Sequence, residues 1–361
     1  MIGEDAGGST VGLMSAYVPR ELVYALGCTP VRVFPTAGKP TAAEAFLPRN
    51  FCSLDRLILS GFLEDGDHGL DAVIFADEDD ATRRLHDVWL ASIPVRVWGV
   101  VEVPRAATPL AVDRYAELLA RLVSDLETHT RRSLISRSLR RAIDVYNEQK
   151  SLLSDLKRRW LAGSVNTVAY RRLRRMALTQ DPATVNERLR GSLEGVGSDS
   201  NPPTRRLLLL AELAAPAGLV RLVEAQGAQV VAEDSDLDER DLAEPVPADA
   251  GTIEGLLIGL ARAYLSKPPS PRVRDLPLRL AYLKRLVAER DVQAAICAYS
   301  KFCDLYLAEY PSLEAYLLQP VRCDRSDVGR LCPRRRAPVR PAGCAPEPGR
   351  GGRDVPGGAT G

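Results

Sequence analysis

Residues 71–101 read DAVIFADEDDATRRLHDVWLASIPVRVWGVV, and this stretch decides the fold. It contains an apolar, β-branched run at 72–76, a helical pattern at 80–90 and a second apolar run at 95–101. Short apolar runs of this kind are typical of buried strands, and a helix between two of them is typical of a βαβ unit. Because the connection in such a unit crosses over, its two strands are expected to be parallel.

The same alternation continues on both sides of this unit. A further strand is predicted at 24–34, and leucines at helical spacing predict mostly helix from 110 to about 161. A second α/β unit follows position 203, and Gly227 is expected to end its first helix. The predicted elements of this second unit are strands at 206–211, 229–232 and 294–298 and helices at 217–226, 253–264 and 276–290.

These patterns predict an α/β protein with two Rossmann-like parallel-sheet domains joined by helices. We expect the first α/β domain at 1–110, a helical connecting region at 111–200 and the second α/β domain at 201–320. The turn-forming residues GVGSDSNPP at 195–203 mark the predicted boundary. The Arg-, Pro- and Gly-rich tail at 321–361 is expected to be disordered.

The composition argues against several classes of function. The chain has 361 residues, of which 45% are hydrophobic and 26% charged, and its formal net charge is +1. A nearly neutral chain of ordinary composition has no overall field that attracts nucleic acid. No apolar run approaches the ~20 residues of a membrane span. The first residues lack a secretory signal, so the cytoplasm is the expected location.

Common catalytic signatures are also missing from the sequence. It contains neither a GxxxxGK phosphate loop nor a GxSxG elbow, and no GxGxxG follows the first predicted strand. The three histidines, His68, His86 and His129, are too isolated for a zinc site. We therefore expect them to be surface or helix residues.

Five segments carry a resemblance to one enzyme family. They are 17–33 (YVPRELVYALGCTPVRV), 47–53 (LPRNFCS), 79–89 (DDATRRLHDVW), 222–234 (LVEAQGAQVVAED) and 301–304 (KFCD). The set is similar to segments of subunits of the 2-hydroxyacyl-CoA dehydratase and benzoyl-CoA reductase family, of the D-component type. The resemblance covers roughly residues 10–318, and KFCD is its most telling segment.

The resemblance implies a [4Fe-4S] cluster and points to its ligands. Cys52 and Cys303 match two of the family's cluster cysteines, whereas Asp79 stands where the family has the third. Asp79 would be a replacement ligand, although a carboxylate is a harder ligand than a thiolate. The residues themselves also permit a shared site, because ligands collect beyond the carboxyl ends of strands. Without the resemblance, each cysteine would be read as a lone buried thiol.

The remaining cysteines are assigned no chemistry. Cys28 and Cys297 lie in apolar runs and are expected in the core, where cysteine behaves as a small apolar residue. Cys323, Cys332 and Cys344 lie in the irregular tail and have no predicted role. No substrate-binding residue is predicted.

The resemblance further implies a lyase subunit that works with partners. A homologous second dehydratase subunit would complete the enzyme, and an ATP-dependent iron–sulfur activator protein would inject one electron. That electron would reduce an acyl-CoA thioester to a ketyl radical, which expels the hydroxyl group at C2. In the benzoyl-CoA reductase branch the electrons would instead reduce an aromatic thioester, and the sequence favours neither branch.

Two other functions stay open. Asp79 favours a non-catalytic partner subunit without a cluster, and a generic α/β small-molecule binding protein is disfavoured by the missing phosphate loops. The family's closing strand and helix do not follow Leu318, so a shifted reading frame is a hypothesis for the tail that resequencing the gene tests. A natural basic tail is its alternative.

Overall fold

A computed structural model of the chain describes residues 8–35, 38–193, 205–241, 244–273 and 276–317, which lie in one compact unit. The strands are β1 (Thr10–Leu13), β2 (Thr29–Arg32), β3 (Ala72–Asp77), β4 (Arg96–Glu102), β5 (Arg205–Leu210), β6 (Ala228–Asp234) and β7 (Ala294–Cys297). The helices are α1 (Arg20–Ala25), α2 (Ser53–Asp65), α3 (Asp80–Ser92), α4 (Pro109–Thr130), α5 (Ser136–Leu161), α6 (Thr167–Thr179), α7 (Pro182–Leu193), α8 (Ala217–Ala225), α9 (Ile253–Leu265), α10 (Leu276–Glu289) and α11 (Asp304–Leu317), with a 3-10 helix at Ala42–Ala45.

The first sheet is parallel and has the strand order β2-β1-β3-β4. Its central strand β3 comes from the run at 72–76, whose five side chains are fully buried. A strand covered by helices on both faces is apolar at every position, which explains the continuous run. The predicted βαβ unit is confirmed as β3, α3 and β4.

The strand predicted at 24–34 is wrong in its first half. Residues 24 and 25 end helix α1, and the strand occupies only Thr29–Arg32. Gly27 separates the two, because its backbone adopts a left-handed φ of +77° and its N–H bonds to the Tyr24 carbonyl at 2.9 Å. A helix of six residues is too short for its period to distinguish it from a strand. Strand β1, with only four residues, was not predicted for the same reason.

The second sheet is also parallel and has the order β6-β5-β7. Its strands and the helices α8, α9 and α10 confirm the predicted elements to within two residues. Gly227 ends α8 as expected, with a φ of +76° and an N–H bond to the Glu224 carbonyl at 2.9 Å. The chain is therefore mixed α/β with two parallel sheets, as the sequence predicts.

The helical region connects the cores of the two sheets. Helix α4 packs against β4 and α9, and α5 packs against α1 and α7. In α5, Ile143 belongs to the core beside the first sheet, whereas Leu153 and Trp160 belong to the core beside the second. One long amphipathic helix thus contributes to both apolar cores.

The carboxyl ends of the two sheets face a common cleft. Arg32, the last residue of β2, forms a 2.8 Å ion pair with Asp236, which follows β6. In each sheet the strand order reverses beside the first strand of that sheet, β1 or β5. Such switch points are where open α/β sheets bind ligands, so the cleft is the expected place for a site.

Two predictions concern residues outside this description. The boundary at 195–203 and the tail at 321–361 both lie outside the described ranges. Among the helices that the structure describes, none is both long enough and apolar enough to cross a lipid bilayer.

Candidate functional site

The residues predicted as ligands share one structural position, because each immediately precedes a helix. Cys52, Asp79 and Cys303 precede α2, α3 and α11. The Asp79 carboxylate caps α3 by accepting the Thr82 N–H at 2.7 Å, and the Cys303 carbonyl accepts the Leu307 N–H at 2.9 Å. The N-terminus of a helix carries partial positive charge, so all three residues lie where negative charge is favoured.

The structure brings the two distant thiols together. Cys52 and Cys303 belong to the same buried cluster, and the Sγ atom of each lies 3.8 Å from one and the same guanidinium nitrogen, Nη2 of Arg272. The loops that carry them are joined by a 3.0 Å backbone bond from the Ser53 N–H to the Lys301 carbonyl. Each cysteine is only 4% exposed.

A residue that sequence reasoning missed, Arg272, lies at the centre of this site. Its Nη1 is 2.9 Å from Asp79 Oδ2. Its Nη2 is 3.8 Å from each of three atoms, the Sγ atoms of Cys52 and Cys303 and Oδ2 of Asp55. Arg272 belongs to the connection between α9 and α10, where the proline-rich sequence SKPPSPRV at 266–273 gives no signal of a site.

The ion pair between Arg272 and Asp79 dominates the electrostatics of the site. Burial alone would lower the pKa of Arg272, but the carboxylates of Asp55 and Asp79 raise it well above its ordinary value. The hydrogen bond with Cys303 and burial both raise the pKa of the Cys52 thiol. Burial also raises the pKa of Asp55. At neutral pH the site therefore holds a permanent cation beside a protonated Cys52 thiol.

As they stand, the residues do not fit a metal cluster. Ligation by these three residues would require two thiolates and a free oxygen on Asp79, but both oxygens of Asp79 are engaged, one by Thr82 and the other by Arg272. Within the described ranges, no group of three Cys, His, Asp or Glu side chains is arranged to hold a metal ion. The ligand roles of Cys52, Asp79 and Cys303 remain predictions.

A cavity of about 640 Å³ opens beside the thiols and Arg272. This volume falls in the range of small-molecule sites. Both apolar and charged side chains line it. The apolar lining residues are Phe46, Leu47, Pro48, Phe51, Ala81, Val88, Phe302 and Leu305, and the charged ones include Arg84, Asp87 and Arg105.

Arg272 also lines a second cavity of about 30 Å³ among charged residues of both sheets. Glu78, which follows β3, accepts a hydrogen bond from the Ser15 hydroxyl, and burial raises the pKa of Glu78 to about 8. Glu212, which follows β5, accepts the Ser300 N–H at 2.6 Å, and burial raises its pKa as well. Two carboxyl groups with raised pKa values thus line this second cavity.

The residues predicted to have no role in a site lie away from it. Cys28 is buried in the core of the first sheet, and Cys297 packs against the core of the second. His68 is an exposed turn residue, whereas His86 and His129 lie on α3 and α4. The structure thus confirms the placements predicted for these five residues, against the cores for the cysteines and on the surface or on helices for the histidines.

Fold and site together define a class of protein: an α/β protein in which paired thiols from two parallel-sheet halves meet at the carboxyl ends of the strands. Residues 15–320 match the family of the 2-hydroxyglutaryl-CoA dehydratase D-component, and the chain belongs to that family. The resemblance found in the sequence is confirmed over nearly the same range.

The individual relatives are distant in sequence, and two of the three match over most of both chains. The chain is 21% identical to the (R)-phenyllactyl-CoA dehydratase beta subunit of Clostridium sporogenes, over 86% of this chain and 83% of the relative. It is 22% identical to one of the subunits of benzoyl-CoA reductase from Thauera aromatica, over 86% of this chain and 82% of the relative. It is also 28% identical to the beta subunit of lactoyl-CoA dehydratase from Anaerotignum propionicum, over 42% of this chain and 40% of the relative.

Proposed function

We propose that this chain is a partner subunit of an enzyme complex that acts on a CoA thioester, and that it holds no iron–sulfur cluster itself. All three relatives are named as subunits of enzymes whose substrates are CoA thioesters, which supports a role inside a complex. The observation that carries the cluster-free role is the ion pair between Asp79 and Arg272. A carboxylate neutralised by a buried guanidinium is a poor ligand for iron.

In this role the chain supplies half of the complex without carrying electrons. A homologous second subunit would hold the reacting thioester. The relatives include dehydratase and reductase subunits, and the CoA thioester is the substrate chemistry common to their names. We therefore propose a CoA thioester as the class of substrate and favour neither the dehydratase nor the reductase reaction.

A second candidate function is favoured by the two adjacent thiols. Cys52 and Cys303 come from opposite ends of the chain and still meet in one buried cluster. In this candidate they bind a [4Fe-4S] cluster with Asp79 as third ligand. When bound, such a cluster supplies one-electron transfer to the thioester, and an ATP-dependent activator protein would provide the electron. The expected location of either complex is the cytoplasm.

Iron analysis separates the two candidates. The chain is purified without oxygen together with its second subunit, and iron and sulfide are measured per chain. A subunit of the cluster-free kind contributes no iron, so Cys303→Ala leaves the iron content of a well-folded complex unchanged. About four irons per chain that disappear in Cys303→Ala, but persist in the matched variant Cys28→Ala, would instead establish the iron–sulfur candidate.

A further inference from the structure

One guanidinium occupies the place where three helix N-termini meet. Arg272 contacts Cys52, Asp79 and Cys303, the residues that precede α2, α3 and α11. Such a place favours anions and opposes a buried cation. Arg272 is nevertheless only 8% exposed there, because the carboxylates of Asp79 and Asp55 lie 2.9 and 3.8 Å from it.

The pair is fixed in position by further hydrogen bonds. Thr82 bonds both partners, since its N–H donates to Asp79 at 2.7 Å and its hydroxyl accepts from Arg272 at 3.3 Å. The Arg272 N–H donates to the Ser270 hydroxyl at 3.3 Å, and that hydroxyl is 3.3 Å from the Tyr306 hydroxyl of α11. The arginine is therefore held from both its backbone and its side chain.

We infer that Arg272 and Asp79 together replace a metal centre. The guanidinium takes the position of the metal between the two thiols, and the carboxylate takes the position of the third ligand. This inference rests on the proposed cluster-free function and adds the side chain that enforces it. It follows that a cysteine at position 79 is insufficient to admit iron, and that the charge of Arg272 must be removed as well.

The geometry indicates that the exchange is feasible. Removing both partners of a buried ion pair leaves no uncompensated charge from the pair, which is why double replacement is tolerated better than single replacement. Arg272 borders the cavity of about 640 Å³, so a smaller side chain would leave open volume next to both sulfur atoms. The Sγ atoms of Cys52 and Cys303 each lie 3.8 Å from the Arg272 nitrogen that such a replacement removes.

The test compares four forms of the chain in complex with the second subunit. They are the wild type, Asp79→Cys, Asp79→Cys/Arg272→Ala and the matched control Asp79→Cys/Arg84→Ala, in which the arginine removed is an exposed one that lines the same cavity. Each is incubated without oxygen with ferrous iron, sulfide and a thiol reductant. Bound iron and the visible sulfide-to-iron absorption are then measured.

We expect only the Arg272 double variant to take up about four irons per chain. Equal uptake by Asp79→Cys or by the Arg84 control would overturn the inference, as would a folded Arg272 double variant that stays free of iron. If the alanine form is recovered unfolded, Asp79→Cys/Arg272→Met, which keeps a long side chain without charge, decides in its place. Iron in the wild-type complex that disappears in Cys303→Ala would refute the proposed function instead, so the two failures are distinguishable.

Discussion

Replacement of Arg279 by methionine removes the most extensively bonded buried cation of the second half. Arg279 is fully buried and joins two carboxylates, Asp234 at 2.5 Å and Glu309 at 2.5 and 3.0 Å. Its Nη1 also donates to the Pro269 carbonyl at 2.7 Å, three residues before Arg272. The side chain thus ties the end of β6, helix α11 and the connection that carries the arginine of the site.

The magnitude follows from what the variant leaves behind. Breaking a buried ion pair by removing one partner costs about 3–5 kcal/mol. Here Asp234 retains a 3.0 Å ion pair with Arg240, and Glu309 retains the Tyr299 hydroxyl at 2.7 Å. Because both carboxylates keep one partner, we expect a loss near the lower limit, about 3 kcal/mol of unfolding free energy.

The assay is urea denaturation of the full chain, followed by circular dichroism, with Arg285→Met as the matched control. Arg285 lies on the same helix, but its side chain is 68% exposed and its ion pair with Glu289 is 3.7 Å long. An exposed pair of this kind contributes less than about 1 kcal/mol. If Arg279→Met loses no more stability than Arg285→Met at an unchanged denaturant slope, the buried network does not stabilise this half.

Substitutions at three further positions test other parts of the structure. Asp79→Ala should lower the unfolding free energy by about 1 kcal/mol more than Asp79→Asn does, because asparagine still caps α3. Urea denaturation of the two variants measures this difference. Glu78→Gln should flatten the pH dependence of the melting temperature. The native pKa of about 8 exceeds the ordinary 4.5, so the contribution of Glu78 to stability is lost as pH rises through that interval; an unchanged slope would contradict this. Tyr264→Phe removes the 2.6 Å hydrogen bond to the buried Glu21, and a loss of about 2 kcal/mol is expected in the same urea assay.

The segments that supply the site residues explain why Arg272 was not predicted from the sequence. Cys52, Asp79 and Cys303 belong to segments with a recognisable pattern, and each lies next to a helix in the structure. Arg272 lies in a connection without periodicity, and its partner Asp79 is 193 positions away. Arginines are common throughout this sequence, so residue type alone could not identify the one that is buried between two thiols.

The sequence by itself determined the local elements and their alternation. Apolar runs and helical periodicity are properties of neighbouring residues, which is why β3, α3, β4 and the elements of the second half were predicted nearly to their ends. Only the tertiary structure decided the strand orders, the position of β1 in its sheet and the position of Arg272 between the two thiols. These depend on contacts between distant segments, and such contacts are fixed by packing and burial, which no local pattern records.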